Sequence, residues 1–233
     1  MENFEFFDFF EASKAEIAKK ETLLRKYAQL LLQANEIARL TGPSDEETLW
    51  NEHIADCTAA LPLLPPEGKF IDVGTGGGLP GLVFAVCRPR AHVTLLDSIA
   101  KKCALVEKMA AALCLKNVTV ICSRSEDFAK ANMEKFNIVT ARAVCATGIL
   151  AEYLAPLARI KGKIIAFKGP RVVDEINEIG AKWQTLGLSS PKLMPYTLGE
   201  AKHFLAVWEK ISQTTKGIPR RPGMAEKFPW YKR

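Results

Sequence analysis

Lys69-Phe70-Ile71-Asp72-Val73-Gly74-Thr75-Gly76-Gly77-Gly78-Leu79-Pro80-Gly81 is a short apolar run that breaks into a glycine-dense turn. Apolar sequence resumes at Leu82-Val83-Phe84-Ala85-Val86. The spacing predicts strand, tight loop and helix, the unit that holds a nucleotide-like ligand in an open α/β sheet. A loop without Cβ atoms turns sharply and brings backbone N–H groups against a ligand. Pro80 suits the first turn of the helix, where its missing N–H is no loss. The next apolar run, His92-Val93-Thr94-Leu95-Leu96, ends in Asp97-Ser98. An acid at the end of a second strand is placed to bind the two hydroxyls of a ribose.

The same alternation continues outward from this unit. A helix is predicted over Lys101–Leu115, a strand at Val118–Cys122, and then the polar segment Ser123-Arg124-Ser125-Glu126-Asp127. Phe136–Thr140 reads as strand four, followed by Ala141-Arg142-Ala143 and a helix through Ile149 and Leu157. Lys163–Phe167 is strand five, ending in Lys168-Gly169-Pro170, and a helix over Val172–Leu186 precedes two late strands near Leu188–Leu198 and Phe204–Ile211. Strands alternating with helices predict a doubly wound sheet, finished here by an antiparallel pair. Upstream, residues 11 to about 40 carry helical apolar spacing, and Ser44-x-x-Glu47 resembles a capping box for a second helix. That second helix carries His53 and Asp56 three residues apart, on one face. Pro62, Pro65 and Pro66 close this segment. The organisation expected is an N-terminal helical cap over 1–66, a sheet domain over 67–211 and a basic tail over 212–233.

Two cofactor templates fit the glycines. Gly76-x-Gly78-x-x-Gly81 satisfies a dinucleotide fingerprint, but there the glycines follow the strand directly and a diphosphate sits on the helix N-terminus. Asp72 would set a negative charge beside that diphosphate. Asp72-x-Gly74-x-Gly76-x-Gly78 matches the acid-plus-glycines pattern of S-adenosylmethionine-dependent methyltransferases, whose cofactor has no phosphate and carries ammonium and sulfonium charges. The second template fits better, and the first leaves a nicotinamide-dinucleotide oxidoreductase as a rival reading.

Composition narrows the classes further. Although 48% of the residues are apolar, no run approaches the ~20 needed to cross a bilayer. Glu2, Glu5 and Asp8 among phenylalanines do not form the basic leader of a secretory signal. Six cysteines, at 57, 87, 103, 114, 122 and 145, show no C-x-x-C spacing and read as reduced core residues of a cytoplasmic protein. The net charge of +6 is concentrated after Ser212, where six Lys and Arg residues face Glu226 alone. Such a tail is a candidate arm for nucleic-acid phosphate, with Arg220 and Arg221 as contacts. Its aromatics, Phe228, Trp230 and Tyr231, either stack on bases or pin the tail to the body.

Taken together, the motifs resemble one family, the bacterial small-subunit ribosomal RNA guanine-N7 methyltransferases. The resemblance rests on Trp50-x-x-His53-x-x-Asp56, Phe70 to Gly81, Leu95-Leu96-Asp97-Ser98, Ser123-Arg124-x-Glu126, Ala141-Arg142-Ala143, Lys168-Gly169 and Gly217 to Gly223. The chain departs from the family's usual pattern at Arg39 and Cys57, both in the cap. The resemblance implies a Rossmann-like class I fold with S-adenosyl-L-methionine as cofactor. It implies 16S ribosomal RNA or the small ribosomal subunit as partner, with neither membrane nor metal. By resemblance Gly74, Gly76, Leu79, Asp97, Ser125 and Glu126 hold the cofactor, and Arg142 stands as the catalytic residue where cofactor and target base meet. His53, Asp56 and Lys168 join Arg220 and Arg221 as candidate RNA contacts. A second rival reading is a non-catalytic RNA-binding protein that keeps the fold.

Overall fold

The computed structural model describes residues 9–232; Glu2, Glu5, Asp8 and Arg233 lie outside the described residues. Chain order is α1 (Phe9–Ile37), α2 (Glu46–Thr48), a π-helical segment (Leu49–Ile54), α3 (Ala55–Thr58), β1 (Glu67–Val73) and α4 (Gly81–Cys87). Then follow β2 (Arg90–Asp97), α5 (Ala100–Ala112), β3 (Val118–Cys122), α6 (Ser125–Ala131), β4 (Phe136–Arg142) and α7 (Thr147–Leu154). The chain finishes with β5 (Ala158–Lys168), α8 (Val172–Ile179), β6 (Lys192–Leu198), β7 (Ala201–Glu209) and α9 (Met224–Lys227).

The seven strands lie in the order β3-β2-β1-β4-β5-β7-β6. The first five are parallel, and β7 runs antiparallel between β5 and β6. This is the doubly wound sheet with an antiparallel pair at its end that the sequence predicts. Phe70, Ile71, Asp72 and Val73 are buried one after another, because helices cover both faces of the sheet. Strand order reverses between β1 and β4, so a crevice opens outside their carboxyl ends, where such sheets bind ligands.

One face is filled by the cap, α4 and α5, and the other by α6, α7, α8 and part of the tail. Leu24, Tyr27, Ala28 and Leu31 of α1 are fully buried at helical spacing, so the cap shares the core of the sheet. Each such large side chain contributes about 1.5–3 kcal/mol by leaving water.

Several boundaries differ from the sequence reading, each for a local reason. α1 stops at Ile37 because Asn35 Oδ1 accepts from Leu40 N at 2.7 Å and Thr41 N at 3.0 Å, replacing the helical ladder. Asp45, not Ser44, caps α2, accepting from Thr48 N at 2.8 Å in an extended conformation. Pro80 occupies the N-cap of α4 rather than its first turn. α7 ends at Leu154, ahead of Pro156, whose ring cannot continue a helix. The predicted helix over 172–186 breaks at Gly180, where φ is 62°. Its remainder is a short 3₁₀ turn, Lys182–Leu186, and β6 starts only at Lys192. Cys57, Cys87 and Cys103 are buried as expected, whereas Cys114 and Cys122 are exposed.

Candidate active site

The glycine loop between β1 and α4 is fixed by two carboxylates. Asp72 is fully buried, and its Oδ2 accepts from Thr75 Oγ1 at 2.7 Å and from Gly81 N at 3.0 Å. Burial raises its pKa to about 6 against those bonds. Asp72 therefore shapes the loop from within, rather than presenting a charge to a cofactor as the sequence reading supposed. A Cβ at Gly81 would come 2.1 Å from Leu95 Cδ2, so glycine there lets α4 close onto β2. Tyr27 of the cap donates to Gly77 O at 2.9 Å, locking α1 onto the far side of the loop.

Asp97, at the end of β2, supplies the second carboxylate. Its Oδ2 accepts from Gly76 N and its Oδ1 from Ile99 N, each at 3.0 Å. Each oxygen retains a lone pair toward the crevice. Asp97 lines one cavity with Gly74, Ser98, Ser123, Arg124, Ser125, Val144 and Tyr153. Gly74, at φ 72°, would place a Cβ 2.8 Å from Val144 Cγ2, so any side chain there would close the cavity. Among the sequence candidates, Gly74, Asp97 and Ser125 are brought together here. Gly76 and Leu79 lie behind them in the loop, and Glu126 is buried at the start of α6, accepting from Ser125 Oγ at 3.1 Å. The lining offers hydroxyls, a carboxylate and a single guanidinium, a donor set suited to an adenosine with a cationic tail rather than to a diphosphate.

Arg142 falls in a second cavity, of about 720 Å³, with Glu52, His53, Asp56, Glu200 and His203. Its Nη1 donates to Asp56 Oδ2 at 2.8 Å, and its Nη2 lies 2.6 Å from His53 Nδ1. The π-helical winding, in which Ala55 N donates to Trp50 O, widens this turn. Both His53 and Asp56 of that face reach the same guanidinium. Asp56 is nearly buried, and Tyr196 of β6 donates its hydroxyl to Asp56 Oδ1. Burial lowers the pKa of His53, and the adjacent Arg142 cation lowers it further. Sequence reasoning missed Tyr196, which sits among apolar neighbours and carries no local signal, and missed Tyr153 in the cofactor cavity. Residues Arg142 to Val144 form the wall between the two cavities, with Ala143 at φ 56°.

Two of the RNA-contact candidates are occupied within the protein. Lys168 Nζ lies 3.0 Å from Glu175 Oε2 and donates to Cys145 O at 2.9 Å, tying the wall segment to α8. Glu175 also accepts from Thr147 N at 2.9 Å. Arg220 donates from Nε to Glu152 Oε1 at 2.7 Å and from Nη1 to Phe228 O at 2.7 Å. Trp230 and Tyr231 are buried. The tail is thus folded against the body rather than extended as an arm, because its aromatics find apolar partners and Arg220 finds a buried acid. Arg221 remains exposed.

Fold and cavities together define a class I S-adenosylmethionine-dependent methyltransferase. A Methanocaldococcus-type neighbour, the M. jannaschii protein TYW2 in complex with AdoMet, has the same fold, with a TM-score of 0.55 at 13% identity over 68% of this chain and 76% of that one. The YcgJ protein from Bacillus subtilis gives 0.51 at 14% identity over 69% and 100%. The family described as rRNA small subunit methyltransferase G matches residues 20–204, and the chain belongs to it. Ribosomal RNA small subunit methyltransferase G of Moorella thermoacetica is 34% identical over 213 residues, covering 89% of each chain. The protein of that name from Clostridium perfringens strain SM101 is 37% identical over 212 residues, covering 87% of each. S-adenosyl-L-methionine is accordingly the cofactor, and the oxidoreductase reading falls. No described helix is long and apolar enough to cross a membrane.

Proposed function

We propose that the chain methylates N7 of a guanine in 16S ribosomal RNA, with the cofactor in the cavity of Gly74, Asp97 and Ser125 and the base in the cavity of Arg142. The observation that carries this reading is the adjacency of the two cavities across the Arg142–Val144 wall at the switch point of the sheet. When bound, the cofactor supplies an electrophilic methyl group on a sulfonium. Guanine N7 has a free lone pair on its major-groove edge, so the displacement requires no proton to be removed. The N7 lone pair forms the new bond to carbon as the carbon–sulfur bond breaks and its electrons stay on sulfur.

The work left for the protein is alignment and charge. Asp97 accepts from the ribose hydroxyls, and Gly74 leaves room for the cofactor's approach to the wall. Arg142, locked by Asp56 and His53, is fixed rather than mobile, which favours in-line geometry. The base gains positive charge on alkylation, and Glu52, Asp56 and Glu200 around the cavity oppose that charge. An unpaired or extruded guanine is the expected substrate, since a duplex crowds the N7 edge in RNA. Exposed Arg124, Arg171 and Arg221 are the phosphate contacts in this reading, and Lys168 supports the wall.

The test is transfer of labelled methyl from S-adenosylmethionine to purified small ribosomal subunits and to naked 16S RNA, with 7-methylguanosine mapped in each. Methylation at N7 in either substrate upholds the reading. Cofactor binding without transfer to either would leave a non-catalytic RNA-binding protein.

A further inference from the structure

The tail carries +5 of the net charge, yet it is spent on one helix of the cofactor side. Along α7, Gly148 O accepts from Trp230 Nε1 at 2.7 Å, and a Cβ at Gly148 would lie 2.2 Å from Tyr231 Cε1. One turn on, the buried carboxylate of Glu152 is held by Arg220 in a paired, two-point contact. Beside it, Tyr153 lines the cofactor cavity with its ring, is 5% exposed, and donates its hydroxyl to Glu226 Oε1 on α9. Lys182 Nζ closes the arrangement by donating to Tyr231 O at 2.6 Å.

We infer that the segment after Ser212 is a positioning element of the cofactor cavity, acting through the Tyr153–Glu226 hydrogen bond. The inference rests on the cavity of Gly74, Asp97 and Ser125 being the cofactor's. Tyr153 has one apolar face toward that cavity and one polar tip behind it. A tyrosine ring held at its tip offers a rigid apolar wall to the adenosine portion of the cofactor. Burial, and then the bond to Glu226, raises the Tyr153 pKa, so the hydroxyl stays a donor. A ring free at its tip loses orientation and part of its packing against the ligand. The segment lies beyond the family match, which ends at residue 204. Tyr153 and Glu226 are positioning residues; neither touches the transferred methyl.

The experiment uses the full chain and titrates S-adenosylmethionine by calorimetry, with thermal unfolding and steady-state kinetics alongside. Glu226→Ala and Tyr153→Phe each weaken cofactor binding by about three- to tenfold, the range of one lost hydrogen bond. KM for the cofactor rises, kcat at saturation holds, and the unfolding midpoint stays near the parent's. Glu226→Gln keeps an acceptor for the Tyr153 hydroxyl and keeps parental affinity, which a purely electrostatic role would not allow. A chain ending at Gln213 binds the cofactor more weakly than either point variant while its RNA affinity keeps the parent's salt slope. Unchanged cofactor affinity in folded Glu226→Ala and Tyr153→Phe overturns the inference, and those two variants decide if the truncated chain fails to fold. A flattened salt slope with intact cofactor binding in the truncated chain would make the segment an RNA arm instead. The cavity itself is judged separately by Asp97→Ala: if that variant binds as tightly as the parent, the cavity reading fails first.

Discussion

Arg142 Nη2 lies 2.6 Å from His53 Nδ1. A guanidinium has only protons to give, so the ring nitrogen accepts, and His53 is the neutral tautomer with its proton on Nε2. Protonating His53 would remove that acceptor and set two cations together. Burial and the Arg142 charge both push the His53 pKa below its ordinary 6.5. The folded state therefore holds fewer protons than the unfolded one in the window beneath 6.5. The stability tied to neutral His53 is fully present above that value and is lost as pH falls through the lower, folded pKa.

Methyl transfer should follow the same titration, level at neutral pH and falling on the acid side below 6.5. Rate profiles of the parent and of His53→Gln check this, since glutamine keeps an acceptor for Arg142 and cannot titrate. The acid limb should vanish or move in the variant. Asp72, with its pKa raised to about 6 by burial, titrates nearby, so the comparison decides and not the parent's curve alone. An identical limb in both proteins would assign it elsewhere.

Arg142→Ala should cost stability as well as turnover, because it leaves Asp56 buried at 4% exposure without its cation. Breaking one side of such a buried pair costs about 3–5 kcal/mol. A double-mutant cycle separates the two roles. Adding Asp56→Asn to Arg142→Ala should recover about 0.5–3 kcal/mol of that loss, the range of coupling between residues in contact. Methyl transfer should stay down in the double variant. Recovered turnover would reduce Arg142 to a structural partner of Asp56.

Asp97 accepts backbone N–H groups on both oxygens, so neither Ala nor Asn is a mild replacement. The amide of Asn would turn an NH₂ toward Gly76 N or Ile99 N. Both variants should lose about 1–3 kcal/mol of cofactor affinity, through ribose bonds and through the slackened glycine loop. Calorimetric titration of S-adenosylmethionine into each measures it, and parental affinity in either would displace the ribose from Asp97.

What the sequence made legible was what is local. The run from Lys69 to Gly81 sets its own strand and loop, and Asp97 follows at the next strand end by spacing alone. Contacts across the chain left no such trace. Tyr196 meets Asp56 over a separation of 140 residues, and Trp230 meets Gly148 over 82. Lys210 is similar: it is fully buried, donating to Ala155 O at 2.9 Å and Leu186 O at 3.1 Å, in a stretch that reads as an ordinary charged strand end. The charge excess of the tail was visible, but its destination depended on where α7 presents Glu152. A buried acid facing the tail cannot be told from an exposed one by composition.

The docking of the tail onto α7 has a test in which two effects carry opposite signs. Gly148 is the second residue of α7, and alanine there would favour a free helix by up to about 1 kcal/mol. Against that, the new methyl would meet Tyr231, with Cε1 at 2.2 Å, Cδ1 at 2.7 Å and Cζ at 2.9 Å from the Cβ position. Tyr231 is itself nearly buried, and Lys182 pins its backbone carbonyl, so the ring has little room to yield. Overpacking of this kind costs about 1–3 kcal/mol and should outweigh the helix gain. Gly148→Ala is therefore expected to lower the unfolding midpoint, and fluorescence of Trp230 should shift as the indole loses its place against Trp183, whose ring centroid is 5.9 Å away. In a chain ending at Gln213 the clash partner is gone, and the same substitution should become neutral or stabilising. A Gly148→Ala full-length protein more stable than the parent would mean that the tail does not pack on α7 in solution.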